Sequence, residues 1–580
     1  MNKNLTKLLL TLVVIVAVYA CKKSFLDIKP EGVLDEATLS TEKGVNRLLI
    51  AAYAMLDGHD NGFPGMTLGG EWGSGGSNFV FGSMAGGEAN RGSSPGDQAG
   101  NMVPFIRHEG TATAGSNNDR WIALYEGVKR TNTVLQVLAK TPGVSDASKK
   151  NITGQARFLR AWYHFQARIM WNKVPYLDEK AAMDLETGAI AGVANDAEIF
   201  PKIIEDIKYA YENLPALQDA VGRINKYTAG ALYGKILMFT KDFATARTVL
   251  TDVVNNGTNS QGVKFDLNAR YEDNFNVAFD NSRESVFAFQ TSSQDNAGAR
   301  NGNWGDQLNF PAGGGIGGAG FFTPTYYFTN KFKTDVNGLP IANSDNNVVM
   351  DPAGQAGLTQ YSGGVDTRLD WTVGRNGVPF HDWGTYQTSW QRDPTAGPFA
   401  NKKIIIRNSQ VGASHDASIW FSAGGNALNI NFIRFADVLL LLAEAEIEIG
   451  GATGLVNAFN LVNRVRARAQ TTTTVPFAPT LGVPITRPYL VPFADQATAR
   501  AAVRLERLLE LGMEGHRFFD LVRWGTAQTE LNAFYNYESA LPYQANGDLN
   551  NPKANFAGAT RNYYDIPQRQ IDLSRGLLKP

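Results

Sequence analysis

Hydrophobic residues recur at helical spacing in two parts of the chain. Phe158, Trp162, Phe165 and Ile169 follow one another at intervals of three or four residues, which places them on one face of a helix. The same spacing predicts helices over Asp119 to Lys140, Asn151 to Trp171, Asp196 to Leu214, Asn225 to Lys241, Asp242 to Gly257, Asn431 to Gly450, Gly454 to Ala469, and from about Gln496 onward. Helix pairs of this length stack in the manner of tetratricopeptide units.

Two other stretches have no helical period and are rich in glycine and aromatic residues. They contain only short strand-like pieces, SVFAFQ (285–290) and KKIIIRN (402–408), among turn-forming residues. Long loops of this kind become ordered only when they pack on a support, and they often carry binding sites. We therefore predict a mostly α fold in one domain, 33–580. In this domain, tetratricopeptide-like helix pairs, mainly 119–257 and 431–525, support a large irregular loop-rich lobe, mainly 54–118 and 258–429.

The only cysteine, Cys21, directly follows an apolar run from Leu8 to Ala20. That run is 13 residues long, whereas a helix that crosses a bilayer needs about 20. It is preceded by lysines and ends in a small residue, which is typical of a lipoprotein signal peptide over 1–20. We predict cleavage before Cys21, acylation of Cys21 and attachment to membrane lipid through a tether over 21–32. The alternative is an ordinary secretory signal followed by an incidental cysteine.

Composition narrows the choice of ligand. The formal net charge is −1, from 54 basic and 55 acidic side chains, and the chain has no long basic run. It therefore lacks the electrostatic footprint of a nucleic-acid-binding protein, and we expect no nucleic-acid partner. The 59 glycines accompany 32 phenylalanines, 20 tyrosines and 10 tryptophans, and this combination favours a neutral ligand that contacts aromatic rings.

Apparent catalytic motifs fail on their chemistry. In GSSPG (92–96) the residue after Ser94 is Pro95, which has no N–H to form an oxyanion hole. GIGGAG (315–320) has neither the preceding strand nor the following helix of a dinucleotide site, so we expect a loop. The six histidines match no metal-ligand spacing, and we expect neither a metal nor a cofactor. His164 lies among aromatic residues, and we expect it to be packed and hydrogen-bonded.

Glu506, Glu510 and Glu514 recur every four residues and would form one stripe on a helix. A glycosidase needs a pair of carboxylates across the sugar bond, so the stripe is a possible active site. A structural network of ion pairs is the favoured alternative. Its candidate partners are the neighbouring arginines Arg504, Arg507, Arg517 and Arg523.

Four segments, in this order, resemble the signatures of the SusD/RagB family of outer-membrane lipoproteins. They are ARFLRAWYHFQARIMWNKVPY (156–176), IRFADVLLLLAEAEIEIG (433–450), LVNRVRARA (461–469) and RLERLLELGMEGHRFFDLVRWG (504–525). The resemblance implies the helical fold with its lobe and a place in the outer membrane facing the exterior. It also implies capture of oligosaccharides for a partner, a SusC-like TonB-dependent transporter. The failed catalytic motifs, taken together, predict a binding protein without enzymatic activity. In a loop where one branch of the family has several acidic residues, this chain has Gly86, Gly87 and Glu88.

Sugar rings stack through their C–H faces on aromatic side chains. The candidate ligand-binding residues are therefore aromatic residues of the loops, with two polar side chains beside them. They are Trp72, Phe81, Trp304, Tyr326, Trp383 and Trp390, with Asn78 and Asp306 as polar contacts. Trp72 and Trp304 are the first choices because glycines flank them. Three alternatives stay open, namely capture of peptides as in RagB-like receptors, a surface glycoside hydrolase, and a structural subunit that binds no ligand itself.

Overall fold

The computed structural model describes residues 39–58, 75–180, 192–297, 301–341, 346–352, 355–416, 425–476, 478–550 and 553–580. The predicted signal peptide, Cys21, the tether and Trp72 lie outside these ranges. Within them, no helix is both long enough and apolar enough to cross a membrane.

Helices dominate the described chain, and the predicted mostly α class is confirmed. The α-helices are α1 Glu42–Tyr53, α2 Ala99–Arg107, α3 Gly115–Lys140, α4 Asp146–Trp171, α5 Phe200–Asn213, α6 Lys226–Thr240, α7 Phe243–Asn256, α8 Tyr326–Thr329, α9 Leu369–Thr372, α10 Val411–Ser414, α11 Phe435–Ile449, α12 Gly451–Gln470, α13 Gln496–Leu511, α14 Arg517–Trp524, α15 Ala527–Glu538 and α16 Gln568–Leu573.

Side-chain caps fix where several helices begin. Ser145 accepts the Ser148 N–H at 3.1 Å, so α4 begins five residues before the apolar period that predicts it. Asn225 caps α6 and Asp242 caps α7 in the same way. Each cap satisfies a backbone donor that the first turn leaves unpaired, which is worth about 1 kcal/mol.

The helices pack as neighbouring pairs along the chain. α3 packs on α4, α4 on α5, α5 on α6, and α6 on α7, while α11 packs on α12, α13 and α7. The contact between α7 and α11 joins the two helical parts of the sequence across the intervening loops. One continuous hydrophobic core runs through the helices and the lobe.

The strands are short and form small separate sheets. They are β1 Ala89–Gly92, β2 Ser285–Phe289, β3 Phe321–Pro324, β4 Lys333–Thr334, β5 Val348–Val349, β6 Thr359–Gln360, β7 Gly364–Val365, β8 Val373–Gly374, β9 Ala400–Asn401, β10 Ile430–Arg434 and β11 Val483–Pro484. β1 pairs with β3, β2 with β10, β5 with β6 and β8 with β9, while β7 lies between β4 and β11.

The structure corrects two of the predicted elements. The helix predicted from Asn431 begins at Phe435, because residues 430–434 form β10 and pair antiparallel with β2, with Ile430 opposite Phe289. The strand-like piece 402–408 is not a strand; its three isoleucines are buried in irregular backbone. Both errors concern apolar runs that are too short for periodicity to distinguish a helix, a strand and irregular backbone.

A buried cluster of five cations and five carboxylates joins the scaffold to the lobe, and we call it the central ion cluster. It consists of Arg368, Lys403, Arg434, Arg466, Arg468, Glu284, Asp366, Glu506, Glu510 and Glu514. Glu510 on α13 accepts hydrogen bonds from Arg434 at 2.9 Å, from Arg368 at 3.0 Å and from Arg468. Burial alone raises the pKa of Glu510, but the nearby guanidinium groups outweigh burial and hold it well below its ordinary value.

The predicted ion-pair network is therefore present, but its partners differ from those expected. Arg507 pairs with Asp437 and Asp520 instead, and the stripe is interrupted because α13 ends at Leu511, so that Glu514 lies in the following loop. The partners of the three glutamates come from segments that are distant in the sequence and that only chain folding brings beside α13.

We expect Glu510→Gln to lower the free energy of unfolding by about 3–5 kcal/mol, because it leaves buried guanidinium groups uncompensated. Urea denaturation followed by circular dichroism measures the change. Glu205→Gln is the matched control, since Glu205 is 60% exposed in its pair with Arg157 and should cost less than about 1 kcal/mol. Equal losses in the two variants would contradict this role of the cluster.

Candidate functional site

A tight hairpin in the lobe presents one of the predicted tryptophans, Trp383. Pro379 bridges to Thr385, and the Phe380 N–H donates to the Gly384 carbonyl at 2.8 Å. Phe380 is completely buried and anchors the hairpin in the core. Trp383 at its tip is half-buried, and its indole N–H donates to the Ile406 carbonyl at 3.0 Å. The hairpin therefore holds one edge of the Trp383 ring and leaves part of the ring accessible.

Trp390 follows the hairpin and is also half-buried. Its carbonyl accepts the N–H groups of Ala312 at 2.9 Å and Gly313 at 3.0 Å. A Cβ at Gly314 would lie 2.5 Å from the Trp390 ring, and Gly314 has a φ of +70°. Glycine is therefore required at position 314 both by the backbone conformation and by the indole ring packed on it. The glycine-rich loop fixes the orientation of this ring.

A third tryptophan, Trp371, packs beside the hairpin through His381 and escaped the sequence analysis. It is half-buried, lies 5.9 Å from the His381 ring between centroids, and donates its indole N–H to the Thr473 carbonyl at 2.7 Å. The Arg407 guanidinium lies over its ring at 5.5 Å from the centroid. In the sequence, only its position in the aperiodic stretch indicated that Trp371 could belong to a binding surface. Trp371, Trp383 and Trp390 are connected through the hairpin, and we call them the tryptophan belt.

His381 links the belt to the backbone beneath it. The Lys402 carbonyl lies 2.9 Å from Nε2, and Arg407 lies 2.7 Å from Nδ1, so Nε2 carries the proton and Nδ1 accepts from the guanidinium. Burial, together with the charges of Lys402 and Arg407, lowers the pKa of His381 well below its usual value. The histidine is thus a neutral positioning group between Trp371 and the hairpin.

Trp304 and Asp306 lie in the neighbouring loop. Trp304 is half-buried, whereas Asp306 is completely buried and accepts the side-chain amides of Asn303 at 3.1 Å and Asn309 at 2.9 Å. Burial raises the pKa of Asp306. Asp306 therefore shapes the turn that carries Trp304, and the expectation that it is accessible to a ligand is not met.

Phe81 and Tyr326 also differ from expectation, because both side chains are in the core. Phe81 is 1% exposed and packs edge-on against Phe105 at 4.8 Å, and Tyr326 is 0% exposed with its hydroxyl donating to the Asp351 carbonyl at 2.7 Å. Neither ring offers a face to a ligand in this structure. Sequence could not reveal this, because an aromatic residue in an aperiodic stretch has no local mark of burial.

Asn78 is separate from the belt. It has a left-handed φ of 56°, donates to the Gly515 carbonyl at 3.3 Å and accepts from Arg120 at 3.4 Å. It lines a narrow crevice of mixed polar and apolar character together with Lys235 and His516. The crevice is too small for a sugar ring, and Asn78 is held by the protein itself.

The loop over Gly86, Gly87 and Glu88 has no room for the acidic residues of the family pattern. A Cβ at Gly86 would lie 2.6 Å from the Gly82 carbonyl oxygen, and one at Gly87, where φ is +78°, would lie 2.9 Å from the Phe534 ring. Glu88 is 2% exposed and accepts the Met513 N–H at 3.0 Å. Its carboxylate therefore holds two loops together instead of forming an acidic surface.

Two further predictions concern the packing of His164 and the absence of a metal site. His164 is buried as expected, accepts the Leu177 N–H at 3.0 Å on Nε2 and hydrogen-bonds the Arg160 carbonyl through Nδ1. Burial lowers its pKa to about 3, so the ring is neutral. Among the described residues, no group of three or more histidine, cysteine, aspartate and glutamate side chains is arranged to hold a metal ion.

Comparison with known proteins places this fold in a family. The SusD family model matches residues 283–579, and a model described as starch-binding associating with outer membrane matches residues 81–238. Because the first match alone spans more than half of the chain, the chain belongs to the SusD family. A SusD-like protein from Bacteroides ovatus is 24% identical over 582 residues, which cover 96% of this chain and 91% of that protein.

Solved structures agree in fold. A SusD superfamily protein from Bacteroides vulgatus has a TM-score of 0.66 at 19% identity, covering 93% of this chain and 99% of that one. Surface glycan-binding protein A from Bacteroides thetaiotaomicron in complex with laminarihexaose has a TM-score of 0.58 at 20% identity, with coverage of 93% and 99%. These likenesses confirm the helical SusD fold.

Glu88 makes stability depend on pH. Burial raises its folded pKa from 4.5 to about 7, so the folded chain holds this proton more tightly than the unfolded chain. The free energy of unfolding should therefore fall, relative to Glu88→Gln, by up to roughly 3 kcal/mol as the pH rises from below 4.5 to above 7. Urea denaturation across that range measures the difference.

The matched control for this prediction is Glu109→Gln, whose side chain is 42% exposed. This variant should keep the pH slope of the wild type. A Glu88→Gln profile parallel to that of the wild type would show that Glu88 has the same pKa in the folded and the unfolded protein, and it would contradict the prediction.

Proposed function

We propose that this SusD-family protein is a glycan-binding lipoprotein of the cell surface, which captures oligosaccharides and delivers them to a SusC-like TonB-dependent transporter. The observation that carries the proposal is the tryptophan belt, in which the fold holds three half-buried indole rings around one hairpin of the lobe. The complex of a structural relative with laminarihexaose supports the choice of a sugar as ligand.

The belt suits the chemistry of a neutral sugar. C–H faces of a pyranose stack on indole rings, and the donors beside the rings, such as the Arg407 guanidinium, can reach hydroxyl groups. Two stacked rings and a few hydrogen bonds give about −4 to −7 kcal/mol, which corresponds to a Kd between roughly 1 mM and 10 µM. Affinity in this range allows a receptor to release its cargo to a transporter.

Binding without cleavage is part of the proposal. A glycosidase holds two carboxyl groups on either side of the bond that it breaks. The glutamates of the predicted stripe are instead buried and paired with arginine or lysine. This arrangement supports a structural role for Glu506, Glu510 and Glu514.

Attachment and delivery complete the proposal. Acyl chains on Cys21 would attach the protein to the outer membrane, and the tether over 21–32 would let the folded body swing. A body that moves on such a tether can close over a transporter mouth and hold a sugar chain between the belt and the channel. The description of the second family model, which associates its members with the outer membrane, supports this location.

We expect Trp383→Ala with Trp390→Ala to weaken oligosaccharide binding at least about tenfold, a loss of ~1.4 kcal/mol, because two stacking faces disappear. Calorimetry with laminarihexaose and a panel of plant, fungal and microbial oligosaccharides measures the change. The chain lengths of the same oligosaccharides should stay unchanged after incubation with the wild type.

Two controls separate stacking from folding. The double phenylalanine variant, Trp383→Phe with Trp390→Phe, keeps aromatic faces and should retain most of the affinity. Tyr209→Ala removes an aromatic ring of α5 that packs under Arg157, away from the belt, and should bind as the wild type does. Wild-type affinity in a folded double alanine variant would contradict the proposed surface.

Replacing Cys21 by Ala should move the protein from the membrane fraction to the soluble fraction, because the acyl chains would be its only anchor. Fractionation with immunoblotting, in cells that lack the partner transporter, measures this. Ser24→Ala, in the same tether, should leave the protein in the membrane. A Cys21→Ala variant that withstands a high-salt wash of the membranes would reveal a second anchor.

A further inference from the structure

A second cleft lies away from the tryptophan belt, where the helical scaffold meets the first strand of the lobe. Its volume is about 350 Å³, within the range of small-molecule binding sites. Three segments line it, namely residues 221–224 before α6, residues 259–263 after α7, and residues 280–290, which include β2.

The cleft combines an apolar rim with polar side chains. Val221 and Val263 on the rim are 52% and 44% exposed. Nonpolar side chains at such exposure cost free energy unless something covers them. The polar lining includes Arg223, Asn259, Asp280, Asn281, Ser285 and Gln290. The lining thus offers hydrogen-bond donors and acceptors, among them one guanidinium and one carboxyl group.

Asp280 has unused capacity to accept hydrogen bonds. Its two oxygens share one protein donor, the Asn429 N–H, at 3.3 Å each. Among the described residues, no lysine or arginine lies within ion-pair distance of it. Burial raises the pKa of Asp280 to about 8, so the carboxyl group holds a proton at neutral pH and becomes a carboxylate above that value. In either form it can make more hydrogen bonds than this one, so the cleft contains a polar group that the protein leaves largely unfilled.

The amide groups around Asp280 are held in fixed orientations. Asn281 donates to the Gln290 side-chain oxygen at 2.8 Å, Asn429 donates to the same oxygen at 3.1 Å, and Asn259 donates to the Asn281 carbonyl at 3.3 Å. Gly222, with a φ of +77°, lies so close that a Cβ there would be 2.7 Å from the Gln290 side chain. The polar surface is therefore largely formed before any ligand arrives, which lowers the entropic cost of binding.

Arg223 supplies donors on the opposite segment. Its guanidinium lies 5.4 Å from the Tyr53 ring centroid, and its hydrogen bond to Gln155 is long at 3.5 Å. Because an arginine has five N–H donors, most of them stay available for a ligand. Phe279, the residue before Asp280, is 41% exposed and adds an aromatic surface to the same loop.

A ligand that fits must form hydrogen bonds with a carboxyl group, accept from a guanidinium, carry no large net charge and cover an apolar rim. Adjacent hydroxyl groups on a sugar ring meet the first two requirements, and the C–H faces of the ring meet the last. We propose that this cleft is a second carbohydrate subsite, which takes one or two neutral sugar units with vicinal hydroxyl groups. The proposal rests on the proposed glycan-binding function, but not on the belt as the place of binding.

The test measures binding of single sugars in a protein that lacks the belt. The probes are the methyl glycosides of glucose, galactose, mannose and xylose at millimolar concentration. Saturation-transfer NMR detects their binding. In the folded Trp383→Ala/Trp390→Ala variant, we expect at least one glycoside to keep its signal. Gln261→Trp, at an exposed position of the cleft, should fill the cleft and abolish that signal.

Two further substitutions examine the chemistry of the cleft. At pH 9, above the pKa of Asp280, Asp280→Asn keeps the shape but removes the charged acceptor, and it should weaken glycoside binding about tenfold, the loss typical of a hydrogen bond to a charged group. Asp572→Asn is the matched control, because Asp572 is exposed and accepts only a hydrogen bond from Gln568. It should leave the signals unchanged.

The outcomes distinguish sugar binding in the cleft from sugar binding at the belt. Loss of all glycoside signals in the belt variant, with no effect of Gln261→Trp in the wild type, would overturn the second subsite and leave the proposed function standing. Signals that survive in the belt variant but disappear with Gln261→Trp would support the cleft. If the wild type binds none of the glycosides and none of the oligosaccharides used to test the belt, the cleft and the proposed function both fail.

Discussion

The buried carboxylate of Glu510 is the constraint on which the architecture depends. A charge that is removed from water is tolerated only when opposite charges and hydrogen bonds surround it. Glu510 lies on α13, and its partners Arg434, Arg468 and Arg368 come from β10, α12 and the lobe. Each segment must therefore reach its native place before the charge is compensated, which ties helices and loops into one folded unit.

The same cluster controls the position of the tryptophan belt. Lys403 donates to Glu514 at 2.7 Å and to the carbonyls of Glu510 and Gly512 at 3.2 and 2.7 Å. Three residues farther along the chain, the Ile406 carbonyl accepts the indole N–H of Trp383. A loop without helical or strand hydrogen bonds is thus held at one end by buried charge, and through the Ile406 carbonyl it helps to fix the Trp383 ring of the hairpin.

Charge balance inside the protein also shapes what the surface can bind. The central ion cluster pairs five cations with five carboxylates, and the chain as a whole has a net charge of −1. Many of its strongest electrostatic interactions are therefore made between buried ion pairs, which salt screens little and whose charges cancel one another. These interactions hold the folded chain together. The belt and the second cleft instead offer rings, amides and only a few charges, which suits a neutral polyhydroxylated ligand better than a charged polymer.

Local sequence was sufficient for most of the long helices. The apolar period of 151–171 and the Ser145 cap both concern interactions within a few residues, so α4 could be predicted from the pattern, with an uncertain first turn. The motifs of the family and the mostly α class could also be identified from the sequence. That the three glutamates serve a network of ion pairs could also be predicted, because arginines are abundant nearby in the sequence.

Only the tertiary structure decided which side chains meet. Residues 430–434 form a strand because β2 lies beside them, and Glu510 pairs with Arg434, Arg468 and Arg368 because folding brings four distant segments together. The aromatic residues show the same limit: Phe81 and Tyr326 are in the core, whereas Trp371 is half-buried. Periodicity records the contacts of regular elements, but burial in an aperiodic loop depends on neighbours that are remote in the chain, and no local pattern encodes them.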